Sequence, residues 1–170
     1  MSGFPTRRAM RPVEAPLLDR LMDDEPGSDR ARSPAETVAR LRRSVHREVE
    51  ALLNARRPWR SPPPALTALR LSPLAYGMPD FTAGAFNDRR QREVLRAEIE
   101  ETIRRFEPRL TQIQVRLIDQ SPSVGPLLRT TLQLRIEALL RAQPAPEPIV
   151  FDTAVDTTTA DVVLNPLSGL

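Results

Sequence analysis

Between Leu128 and Ala138 the chain alternates with a period of two. Leu128, Thr130, Leu132, Leu134, Ile136 and Ala138 fall on one side, and Arg129, Thr131, Gln133, Arg135 and Glu137 on the other. Only an extended strand sends successive side chains to opposite faces, so this run demands a sheet with one buried face and one wet face. Two shorter runs share the period. Ile113, Val115 and Leu117 alternate with Gln112, Gln114 and Arg116, and Ile149, Phe151, Thr153 and Val155 alternate with Val150, Asp152, Ala154 and Asp156. "SPSVGP" and "QPAPEP" separate the three runs, and the segment "EALLRA" leaves room for a helical turn at the end of the second. Three antiparallel strands with one apolar face need a cover.

Two helical stretches supply it. "SPAE" sets Ser33 as cap, Pro34 at the first helical position and Glu36 three residues after the cap, a capping box in which each side chain satisfies an orphan N–H. Val38, Leu41, Val45, Val49 and Leu52 follow at spacings of three or four, with Arg40, Arg43, Arg47 and Glu50 opposite and His46 off the apolar stripe. Asn54 and Pro58 mark its end. The second helix starts near Asn87–Asp88 and buries Leu95, Ile99, Ile103 and Phe106. Pairs four apart, such as Glu100–Arg104, support it by a few tenths of a kcal/mol each. The expected fold is α+β: two long helices packed on one face of a small, roughly three-stranded antiparallel sheet. A short helix over Leu17, Leu18, Leu21 and Met22 precedes them, either stapled to the core or docking a partner. Residues 1–13 read as a disordered basic arm, 14–156 as one domain and 157–170 as a tail, to which Asp161–Leu164 could add a short piece. The Pro-rich stretch between the helices carries Leu66, Leu69, Leu71, Leu74, Tyr76 and Phe81, too apolar for a free linker. It reads as an ordered connection turning at Tyr76–Gly77, with Tyr76 a core aromatic.

Composition removes several function classes. Without cysteine there is no disulfide or thiolate chemistry, and one histidine, His46, cannot build a multi-histidine metal site. The pI of about 10.7 suggests a nucleic-acid partner, but all 25 basic residues are arginine and the net charge is only +3. Arginine keeps its proton to about pH 12, which holds the pI high without a basic stripe. No nucleic acid, small-molecule substrate, metal or cofactor is expected. "DDE" at 23–25 reads as a solvated helix end. No apolar run approaches the ~20 residues of a membrane helix. No apolar segment follows Arg7–Arg8 as an export signal requires, so a cytosolic chain is expected.

"FEPRL" (106–110) joins the second helix to the first strand. Pro108 pushes Glu107 out of the α region. In an extended seam, Phe106, Pro108 and Leu110 would point one way, into the core, and Glu107 and Arg109 the other, toward a partner. A muramidase using Glu107 as acid is the alternative. It needs a second carboxyl across a cleft, and nothing in the spacing selects Asp80 or Asp119. A guanidinium two residues away also favours the charged carboxylate, wrong for a proton donor.

"LLDRL" (17–21), "LLNARR" (52–57), "YGMPDF" (76–81), "FEPRL" (106–110) and "IVFDTAVD" (149–156) occur in this order. The pattern resembles the TssE baseplate subunits of bacterial type VI secretion systems, a group within the phage-tail baseplate wedge family historically labelled lysozyme-like. The likeness spans roughly residues 15–156. It implies a non-enzymatic role at the cytosolic face of the inner membrane: contact with other wedge subunits, docking through Glu107, Pro108 and Arg109, and initiation of the contractile sheath, whose first ring donates strands to the sheet.

Overall fold

Helix and strand periods translate directly into structure. The computed structural model describes residues 21, 34–58, 65–81, 88–118, 131–142 and 145–166. Helix α1 (Pro34–Asn54) opens on its proline, and helix α2 (Arg89–Phe106) on Asp88, whose side chain accepts the Arg90 N–H at 2.9 Å. Leu41, Val45, Val49, Leu52 and Leu53 of α1 are buried, as are Leu95, Ile99 and Ile103 of α2. Ser33, the basic arm and the short N-terminal helix lie outside the described residues, Leu21 excepted; Leu21 itself is helical and exposed.

Strands β3 (Leu110–Leu117), β4 (Thr131–Leu140), β5 (Glu147–Asp156) and β6 (Val162–Pro166) pair antiparallel in the order β3-β4-β5-β6. The inward residues of the alternating runs are the buried ones: Leu134, Ile136, Ala138 and Leu140, then Ile149, Phe151, Thr153 and Val155. They merge with the apolar stripes of both helices into one core. Helix α2 lies along β3 and α1 along β6. No helical turn interrupts "EALLRA"; β4 runs through to Leu140.

The expectation of two long helices on a three-stranded sheet is corrected here, although the fold is α+β. The sheet has a fourth strand, β6, and a separate two-stranded parallel sheet pairs β1 (Arg56–Arg57) with β2 (Met78–Pro79). β6 contributes only Val162 and Leu164 to the core, too few alternations to register as a strand beforehand. What creates it is a tight turn. Asp156 Oδ1 accepts the N–H groups of Thr158 (2.7 Å) and Thr159 (3.2 Å), and Ala160 sits at φ 64°. β1 and β2 carry two residues each, below the length at which any periodicity shows.

The connection between the helices is ordered, with 3₁₀ turns at Thr67–Leu71 and Pro73–Ala75. Ala75, Met78 and Phe81 are buried, whereas Leu66, Leu71 and Leu74 are exposed. Gly77 makes the junction possible. Its φ is 96°, and a Cβ there would stand 2.4 Å from the Ala55 carbonyl oxygen, the very oxygen that accepts the Met78 N–H at 2.8 Å. β3 departs from simple alternation once. Gln112 has φ 51° and the register shifts between Thr111 and Gln114. This bulge lets Leu110 and Ile113, three apart, both face inward.

Candidate docking site at the helix–sheet seam

The last turn of α2 closes with the Glu107 N–H donating to Ile103 O at 2.8 Å. Pro108 then forbids another helical residue. Instead of running extended, the chain folds into a turn, in which the Leu110 N–H reaches back to Glu107 O at 3.1 Å. That turn overturns the expected alternation. Pro108 is exposed, Glu107 is buried at 4 % relative exposure, Leu110 is buried, and Phe106 and Arg109 are half-buried.

The acid and the guanidinium therefore do different things. Glu107 turns inward, and Arg109 occupies both of its oxygens: Nε and the backbone N–H donate to Oε1, at 2.7 and 3.2 Å, and a terminal nitrogen donates to Oε2. The same guanidinium donates to Glu48 Oε2 on α1. Glu48 Oε1 in turn accepts from the Ser44 hydroxyl at 2.8 Å. Burial works against the Arg109 charge, but hydrogen bonds and charge from Glu107 and Glu48 outweigh it and hold its pKa above the ordinary arginine value. With both oxygens engaged inside the fold, Glu107 is poorly placed to serve a sugar substrate as an acid.

"YGMPDF" arrives at the same place. The Tyr76 ring stands edge-on to Phe106, with centroids 5.4 Å apart and planes at 70°. Burial raises the Tyr76 pKa, and the charges of Glu48 and Glu107 raise it further. The accessible rim consists of Pro108, Tyr76 at 39 % exposure, and the partly exposed Arg109 and Glu48. Tyr76 is thus a rim residue rather than the core aromatic expected. Glu48 gave no signal in the sequence, because at its position on α1 it resembles any solvated carboxylate.

Asn54 and Arg56, from the stretch "LLNARR", are engaged elsewhere. Asn54 grips Val162 of β6 twice, donating to its carbonyl at 2.8 Å and accepting its N–H at 2.9 Å. Arg56 donates to the Ala160 carbonyl and lies over the Phe81 ring, 5.5 Å from its centroid. His46 is no free surface residue. It is half-buried, with Nε2 3.0 Å from Leu164 O and its ring 5.7 Å from Phe151. Among the described residues no group of three or more histidine, aspartate or glutamate side chains could hold a metal ion, and no helix is long and apolar enough to cross a membrane.

No curated protein and no solved structure matches the chain. The profile of the family described as baseplate wedge protein gp25 does match, over residues 39–145. That span is more than half of the chain and contains most of α1, all of α2, β3, β4 and the seam. The chain belongs to the baseplate wedge protein gp25 family, the family of the TssE subunits, and so to the structural proteins of phage-tail-like baseplates.

Proposed function

We propose that this chain is a baseplate component of a contractile type VI secretion machine, working at the cytosolic face of the inner membrane. It docks on the other wedge subunits through the seam and initiates sheath polymerisation by accepting strands at its sheet. One observation carries the reading: the family match encloses a seam where Pro108, Tyr76 and one side of Arg109 stay accessible while Glu107 is locked behind them. Glu107 acts by holding Arg109 in place, and the exposed half of the rim meets the partner. Membership of a structural family supports a non-enzymatic role.

The test must respect the buried pair. Arg109→Ala strands Glu107 without its counter-charge, at a cost of about 3–5 kcal/mol, so lost assembly in that variant would report unfolding. Arg109→Lys keeps a cation beside Glu107 but loses the planar fork, and Pro108→Asp puts a charge on the exposed rim while removing the proline's hold on the turn, which the melting measurement checks. Both variants are expected to melt close to the parent while fluorescent sheath foci in cells drop several-fold. Parental numbers of foci in both would defeat the docking role. Clearing of peptidoglycan by the purified chain, abolished in Glu107→Gln, would return the muramidase.

A further inference from the structure

The sheet has two edges, and the helices close them unequally. In β6 the outward backbone groups are those of Val162 and Leu164, with the Pro166 carbonyl beyond them, because Asp161 already points to β5 through the Asp156 N–H. Side chains of α1 take those of Val162 and Leu164 one by one. Asn54 takes both groups of Val162, Glu50 Oε1 accepts the Leu164 N–H at 3.2 Å, and the His46 ring meets the Leu164 carbonyl. An incoming strand would have to displace all three.

In β3 the Ile118 N–H donates to Gln133 O, so Val115 and Leu117 point away from β4. Only Val115 is met by α2 side chains, and at long range: Glu100 at 3.4 Å and Arg96 at 3.3 Å. Both of these side chains have closer partners, at 2.9 Å in each other and in the flanking Arg104 and Glu93. Among the described residues no hydrogen bond closes the outward groups of Leu117.

Beside this open end runs a groove of about 410 Å³, lined by Arg89, Arg92, Glu93, Arg96, Arg116 and the backbone-bearing residues Val115 and Leu117. Four guanidiniums face one carboxylate. Arg96 and Arg116 have acidic partners, but neither Arg89 nor Arg92 makes an ion pair among the described residues. Arg92 Nε is shielded from solvent with no hydrogen-bond partner there.

We infer that the strand-accepting edge is β3 and not β6, and that the strand it accepts is an acidic extended segment of another protein. Main-chain pairing at Val115 and Leu117 provides the affinity, and carboxylates alongside the added strand meet Arg89 and Arg92. A second copy of this chain fits poorly, because pairing β3 with β3 would bring two such arginine clusters together. The inference rests on the strand-addition reading above, and one experiment separates the two.

Hydrogen exchange is followed on the full chain, alone and assembled with the sheath and wedge subunits of its machine. The expected result is slowed exchange at Val115 and Leu117 with β6 unchanged. Slowing in β6 with β3 unchanged overturns the edge assignment and leaves strand addition standing. Assembly with neither edge slowed removes strand addition, and this inference with it. Slowing in β3 that appears in the chain alone as its concentration rises makes a second copy the occupant, and also overturns it. The charge is tested by Arg89→Gln, at an exposed position, and by Arg89→Gln/Arg92→Gln. The double variant is expected to bind the sheath subunits about tenfold more weakly, with the loss shrinking at high salt and the melting temperature retained. Unchanged affinity in both variants shows that the added strand is not acidic.

Discussion

Tyr76 is the chain's single tyrosine, so an absorbance titration of phenolate formation reads that residue alone. Burial and the neighbouring carboxylates Glu48 and Glu107 lift it above its ordinary 10.0. The folded chain therefore holds this proton more tightly than the unfolded one. The associated stability is complete below about pH 10 and is lost as pH rises through the raised value. The titration is expected above 10 in the folded protein, at the ordinary value in denaturant, and lower in Glu48→Gln than in the parent. Tyr76→Phe should flatten the alkaline limb of the stability curve. An ordinary midpoint in the folded chain would separate Tyr76 from the Glu48–Arg109–Glu107 cluster. None of this coupling shows in the sequence, where about thirty residues separate Glu48 from Tyr76 and about thirty more separate Tyr76 from Glu107. What the sequence did show was that Pro108 must end a helix at Glu107. It did not show that the chain would then turn, and the turn is what buries the acid.

At the scale of the element, α1 is both a core helix and the clamp on an edge strand. Its stripe of Leu41, Val45, Val49 and Leu52 is legible from spacing alone. Its second role rests on His46, Glu50 and Asn54, which lie on a flank that pattern reading assigns to solvent. Asn54→Ala removes both bonds to Val162 and leaves two backbone groups of β6 with no side-chain partner. A loss of about 2–3 kcal/mol is expected, measured by denaturant unfolding. Hydrogen exchange should rise first in β6. Equal exchange in β6 of parent and variant would show that the clamp is ornamental. Strand β3 repeats the lesson. Its alternation from Ile113 onward was legible, whereas the bulge at Gln112 follows from the need to bury Leu110 as well.

For the whole molecule, the decisive question is whether residues 162–166 belong to the core. Val162 and Leu164 are 3 % exposed, and β6 covers the open side of β5. Burying two such side chains contributes roughly 1.5–3 kcal/mol each, a large share of the about 5–15 kcal/mol that holds a domain of this size folded. A chain ending at Asp161 is therefore expected to lose cooperative thermal unfolding, as followed by circular dichroism. A sharp transition near that of the parent would make β6 dispensable.

The residue periods by themselves determined that this chain is α+β, that helices α1 and α2 and three of the strands each have one apolar face, and that "FEPRL" marks a boundary. Those properties are local, because a period of 3.6 or of two is written into consecutive residues. Tertiary structure alone decided the fourth strand, the parallel pair at Arg56–Arg57 and Met78–Pro79, the burial of Glu107 behind Arg109, and how unequally the side chains of α1 and α2 meet the two sheet edges. Each of these depends on side chains far apart in the chain meeting a particular backbone group or charge, and such a meeting leaves no period to read.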